Sequence, residues 1–148
     1  LFGLTAHARS HDLARNIYDA DANARTSAQL LGLAEAVLTS GLPLIIDATL
    51  LRRAARRAFQ DLARRLGVPH ALLLCTAPRD ALEARIRKRE AQGDDPSEAG
   101  LAVLAGQFAQ HESPDTDEAA FTVTVATDQS IDWAALDTAL LRVWALFA

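Results

Sequence analysis

Asp47 closes a short apolar run, Leu44-Ile45-Ile46, and Thr49 follows two residues later. An acid at the end of a buried strand suits magnesium-dependent phosphoryl transfer, where it holds the ion through water or orients the attacking hydroxyl. The same carboxylate could instead cap the next helix. Arg52, Arg53, Arg56 and Arg57 crowd the opening of that helix. Cations near a helix N-terminus oppose the macrodipole, so the cluster calls for an anionic ligand or a nearby carboxylate. Arg56 is the candidate for ligand contact. A second basic group, Arg85, Arg87, Lys88 and Arg89, lies near a helix C-terminus, where cations are favoured. Arg85 and Arg89 share one face, four residues apart. The turn-forming QGDDPS follows them, so residues about 79–97 read as a flap whose arginines could neutralise charge on a transferred phosphoryl group.

The elements that must position these residues are legible from periodicity. Leu42 to Asp47 and Ala71 to Cys75 are continuous apolar runs of the kind found in strands buried on both faces. Between them, Leu51, Ala55, Ala58, Phe59, Leu62 and Leu66 recur at helical spacing, and Gly67 with Pro69 ends the helix. That makes a βαβ unit, and ligands of such sheets gather beyond the carboxyl ends of the strands, where Asp47, Thr49 and the Cys75–Pro78 turn lie. Upstream, Asp19 is placed to cap a helix from Ala20 to about Ser40, with Leu30, Leu31, Ala34, Val37 and Leu38 inward and Gly41 closing it. Pro78 opens a helix to about Ala91 that buries Leu82 and Ile86. Asp95, Pro96 and Glu98 form a capping-box-like start for a helix burying Leu101, Leu104 and Phe108. Phe121, Val123 and Val125 alternate with threonines as a third parallel strand. Asp132 caps a last helix with a stripe of Trp133, Leu136, Leu140, Val143 and Phe147. The fold class is α/β.

Composition narrows the class of function. The chain has 148 residues, 50% hydrophobic and 23% charged, which suits one domain with a real core and neither disorder nor a membrane span. The single cysteine, Cys75, excludes a disulfide framework and points to a cytoplasmic setting. Between Arg52 and Arg89 basic residues dominate, whereas from Glu90 to Asp137 no Lys or Arg occurs. The middle of the chain is thus built to face anions. His7 and His11 have the spacing of a helical metal pair but no accompanying ligands. His111-Glu112 lacks the second histidine of HExxH, and no GxSxG occurs. The only lysine is Lys88, and there is neither GxxxxGK[ST] nor GxGxxG. The chain carries no methionine, even at position 1, and its opening at Leu1 reads as the start of a piece of something longer.

Taken together, LFGL at Leu1–Leu4, IYD at Ile17–Asp19, GLPLIIDATLLRRAARRAF at Gly41–Phe59, LEARIRKR at Leu82–Arg89, GDDPSEA at Gly93–Ala99 and VLAGQ at Val103–Gln107 carry a family likeness. The pattern resembles the P-loop small-molecule kinases. More narrowly it resembles the ATP-binding half, of AAA-ATPase type, of bifunctional aminoglycoside phosphotransferase/ATP-binding proteins. Zeta-toxin-like and polynucleotide-kinase-like domains are more distant. The resemblance implies a P-loop NTPase-like parallel sheet flanked by helices, here one domain over residues 1–148, incomplete at its N-terminus with the first two strands absent. It implies a Walker-B-like role for Asp47, facing Mg2+ through water, with Thr49 at the nucleotide. Arg56 would be an active-site arginine, and Arg85 and Arg89 lid arginines. The implied cofactors, ATP and Mg2+, both require the phosphate loop.

The function so implied for the parent protein is ATP-dependent phosphoryl transfer to a hydroxyl of a small molecule or nucleic-acid end. The alternative is a non-catalytic nucleotide-binding or regulatory module attached to an aminoglycoside-phosphotransferase-like domain. A Rossmann-like anion-binding domain without nucleotide is disfavoured by the flap. Expected partners are a small-molecule acceptor and an upstream phosphotransferase domain in the same chain, with neither membrane nor bound nucleic acid. Because Lys88 cannot stand in for a phosphate-loop lysine, the 148-residue chain alone is expected to bind ATP very weakly. Calorimetry with ATP and Mg2+ checks this, and micromolar affinity would refute it.

Overall fold

A computed structural model describes residues 20–92 and 99–148, which form two compact units. The expectations for the Asp19 cap, for His7 and His11, for LFGL and IYD, and for most of the QGDDPS turn with its Asp95–Glu98 capping box lie outside the described residues.

The first unit comprises residues up to 49 together with 85–110. Its helix α1, Ala20–Thr39, turns Ala34 fully inward, with Leu30, Leu31, Val37 and Leu38 half-buried. Gly41 ends it at φ +82, a left-handed conformation that glycine adopts without a Cβ penalty. The Leu42 N–H then bonds the Val37 carbonyl and the Gly41 N–H that of Leu38, the paired bonds of a Schellman motif. Helix α4 spans Leu101–Gln110 and begins with the Leu104 N–H donating to the Gly100 carbonyl. Of its expected inward residues, Leu104 is half-buried but Leu101 and Phe108 are exposed. Its apolar positions outnumber what its packing covers.

The second unit comprises residues 50–84 and 111–148. Helix α2, Arg53–Leu66, buries Leu62 and Ala63, and ends in a second Schellman motif at Gly67, φ +66. Strand β1, Leu72–Thr76, pairs in parallel with β2, Thr122–Ala126, in a register that sets Leu72 opposite Thr122 and Thr76 opposite Ala126. Helix α3, Arg79–Gln92, begins in this unit and ends in the first, with Ile86 buried. A short helix α5, Thr116–Ala119, precedes β2. Helix α6, Trp133–Trp144, packs against β2 and is capped by Asp132, which accepts from the Ala135 N–H at 3.0 Å. Its inward stripe is Leu136, Leu140 and Val143, whereas Trp133 and Phe147 are exposed.

One element departs from expectation. Residues 42–47 are not a strand, and the sheet has two strands rather than three among the described residues. Ile45 is 91% exposed, and Leu42 and Leu44 are also on the surface. A strand exists only by exchanging backbone hydrogen bonds with a neighbour. Among the described residues no strand pairs with this apolar run. Sequence pattern reported its β character and could not report the missing partner.

His70, just before β1, sits against Phe121 and Phe147 with ring centroids 4.6 and 5.1 Å away. Both ring nitrogens are buried without a hydrogen-bond partner among the described residues. Burial, and then the charge of Arg64, push its pKa below the usual 6.5. The unfolded chain therefore binds this proton more readily than the fold does. Stability from a neutral His70 is complete above about pH 6.5 and declines as pH falls below it. Thermal unfolding from pH 7.5 down to 5.5 should show a falling Tm, and the slope over that window should flatten in His70→Phe.

Candidate functional site

The charge cluster at the start of α2 resolves into a set of internal ion pairs. Arg56 is buried, and so is Glu118 on α5. The Arg56 Nε donates to Glu118 Oε1 at 2.7 Å and Nη2 to Oε2 at 2.8 Å, a bidentate fork. Gln60, one turn along α2, donates to the same Oε1 at 2.9 Å. The remaining guanidinium hydrogens go to backbone carbonyls: Nη1 to Leu50 at 3.1 Å and Leu51 at 3.3 Å, Nη2 also to Ser113 at 3.4 Å. A guanidinium has five N–H groups, and this network occupies all its directions.

The loop that supplies Glu118 also supplies the other carboxylates. Asp115 lies 3.1 Å from Arg53 and 3.6 Å from Arg57, and Asp117 lies 3.2 Å from Arg57. Glu112 accepts from the Arg53 backbone N–H at 2.7 Å while its own N–H donates to the Leu51 carbonyl at 2.9 Å. That carboxylate, 59 residues away in sequence, does the capping that the N-cap residue Arg52 does not. It also places negative charge where the α2 dipole favours it. Glu118 is held in turn by a capping box: it accepts from the Asp115 N–H while its own N–H donates to Asp115 Oδ1.

The Arg56 hydrogen bond, opposed by burial and aided by Gln60, lowers the Glu118 pKa to about 2, and the pairing with Glu118 raises that of Arg56. A depressed carboxyl pKa stabilises the fold above the unfolded value of 4.5 and is lost as pH falls from 4.5 toward 2.

These contacts supply nearby carboxylates of the kind the arginine cluster calls for, and they offset the helix-dipole cost. Arg56, expected as an active-site arginine, is enclosed and turned inward. Sequence reasoning missed Glu112 and Glu118. The signal for Glu118 was present in Asp115-Thr-Asp-Glu118, an acid followed three residues later by Glu; for Glu112 there was none.

The other expected residues fall differently. Asp47 and Thr49 are exposed, and Asp47 makes no hydrogen bond or ion pair among the described residues. Because α2 begins only at Arg53 and is capped by Glu112, Asp47 is not its cap. Arg85 and Arg89 lie one turn apart on α3, Arg85 exposed and Arg89 half-buried, with the Arg89 guanidinium donating to the Ala99 carbonyl. The structure joins Arg53, Arg56 and Arg57 to the 112–118 loop. Asp47, Thr49, Arg85 and Arg89 belong to the other unit.

A family model described as an AAA domain matches residues 3–114. The chain belongs to that AAA domain family. Its members are P-loop NTPase-like and of nucleotide-binding, kinase-like type, and family domains generally bind ATP and Mg2+. The helices and parallel two-stranded sheet are consistent with that α/β fold. The match takes in Asp47, Arg56, Arg85 and Arg89, while Glu118 lies beyond it. No curated protein and no solved structure matches the chain. Among the described residues no helix is long and apolar enough to cross a membrane.

Breaking the buried pair should be costly. Glu118→Ala strands the Arg56 guanidinium and should lower unfolding free energy by about 3–5 kcal/mol in a urea titration. Glu112→Ala removes a cap and should cost about 1 kcal/mol. The paired replacement Arg56→Met with Glu118→Leu should recover much of the first loss.

Proposed function

We propose that this domain serves ATP-dependent phosphoryl transfer to a hydroxyl of a small molecule or nucleic-acid end in the parent protein. Asp47 is the acid that faces magnesium through water and orients the acceptor, with Thr49 beside the nucleotide. The observation that supports this is the exposed Asp47 carboxylate, which no described residue engages and which α2 does not use as its cap.

Magnesium keeps several of its waters and takes one or two carboxylates plus substrate phosphates, so a lone exposed acid suits it. ATP needs a phosphate cradle as well, and the sequence given contains no GxxxxGK[ST]. The residues present offer the metal-facing acid and the arginines. When bound, Mg-ATP supplies the transferable γ-phosphoryl and the charge that the ion neutralises. Asp47 would accept the proton or position the hydroxyl, and Arg85 and Arg89 would face the phosphoryl oxygens as charge shifts onto them.

In the full-length protein, Asp47→Asn should lower kcat by orders of magnitude while leaving Tm unchanged. Asparagine preserves shape and capping ability but not the charge. Turnover equal to wild type would refute the assignment. Arg85→Ala and Arg89→Ala should each lower kcat by about 10³-fold or more with a smaller change in KM for ATP. Arg87→Ala, two positions along the helix, is the control and should leave kcat near wild type. Equal small effects for all three would reduce this helix end to a solvated surface.

A further inference from the structure

His70 leads into β1 with both ring nitrogens buried and without a hydrogen-bond partner among the described residues. A neutral imidazole has one N–H to donate and one lone pair to satisfy, so a phenyl ring would fill this place at lower cost. Its two ring neighbours are held very differently. Phe121, edge-on at 4.6 Å, is built into the sheet: its carbonyl accepts from the Leu72 N–H at 2.9 Å, and its N–H donates to the Glu118 carbonyl at 3.2 Å. Phe147, at 5.1 Å, belongs to a single 3-10 turn, Ala145–Phe147, that continues α6, and it is 41% exposed. The charged group that acts on the ring is Arg64 on α2, itself paired with Asp61 at 2.5 Å. Glu118 ahead of Phe121 and Arg142 ahead of the turn are not among the influences on it. Burial and Arg64 both disfavour the charged ring.

We propose that His70 is a pH-operated latch: neutral, it clasps the 3-10 turn through Phe147, and on taking a proton it leaves that contact and lets residues 145–147 open. An imidazolium carries two N–H donors and a full charge, and keeping both donors between phenyl rings without acceptors is unfavourable. Attraction to a phenyl face is too small to offset the loss of hydration at both nitrogens. Water reaches the ring most cheaply from the Phe147 side. Withdrawing Phe121 would break the backbone bonds that lead into the strand pair, whereas displacing Phe147 uncoils one turn. The fold therefore decides which side yields. The clasped form is complete above about pH 6.5 and is lost as pH falls below it, because the freed ring binds its proton more readily than the clasped one. Opening bares Phe147 beside Leu146 and Trp144, which are already exposed.

The test is amide hydrogen–deuterium exchange by mass spectrometry on the full-length protein at about pH 7.5 and about pH 5.5, corrected for the intrinsic pH dependence of exchange. The lower pH should speed exchange of fragments covering residues 145–147 by about threefold or more, with fragments covering β2 unchanged. His70→Phe, which keeps the ring contacts and takes no proton, should hold 145–147 protected at both pH values. Phe147→Ala opens the clasp from its exposed side. Residues 145–147 should then exchange fast at both pH values, and the His70 pKa, read from its C2–H exchange, should rise toward 6.5. Equal protection of 145–147 in wild type at both pH values overturns the proposal, as does an unchanged His70 pKa in Phe147→Ala. So does a pH-dependent loss that persists in His70→Phe, or one that β2 shares, which is general unfolding rather than release of one turn. The wild-type comparison and Phe147→Ala decide the matter even where His70→Phe does not fold.

Discussion

The Arg56–Glu118 pair is the interaction on which the second unit is organised. It joins α2 to the loop before β2 across 62 residues of sequence, with both partners buried. A buried ion pair is no guarantee of stability, since desolvation offsets much of its attraction. What it provides is direction. The fork has one good geometry, and satisfying it fixes the start of α2, the α5 turn and the backbone at Leu50 together. Gln60 and the Asp115 capping box occupy remaining lone pairs of the carboxylate, so little of the network is left unmatched.

The same logic accounts for the charge asymmetry of the chain. Arginines crowd the opening of α2, where the helix dipole disfavours them, and carboxylates follow far downstream. Folding brings Glu112, Asp115, Asp117 and Glu118 back onto that helix end. An N-terminus that looked cationic becomes locally neutral and is capped by a residue from the other side of the unit. The exposed pairs, Arg53 and Arg57 with Asp115 and Asp117, contribute little by themselves. Their effect is to set negative charge beside the cationic start of α2.

That outcome shifts the candidate chemistry toward the segment before α2. With Arg56 engaged internally and the helix capped by Glu112, Asp47 is an exposed acid that no described residue engages, in a family whose domains are of nucleotide-binding type.

Much of the secondary structure was determined by the sequence alone, because its causes are local. Helical spacing fixed α1, α2 and α6. Gly41 and Gly67 fixed two helix ends, since left-handed turns favour glycine, and Asp132 fixed a start by bonding within its own first turn. The parallel strands at 72–76 and 122–126 followed from apolar runs and alternation. What only the tertiary structure decided depended on partners far away in the chain. Residues 42–47 have strand composition but no neighbouring ladder among the described residues, and strand formation is a property of pairs. Trp133, Phe108 and Leu101 lie on helices where expected, yet exposure depends on what covers them. Arg56 and Arg53 look alike in sequence, yet Arg56 forks onto the buried Glu118 while the half-exposed Arg53 side chain meets Asp115. Charge spacing can announce that a cluster needs an anion, but which carboxylates of the chain arrive beside it is decided by long-range packing.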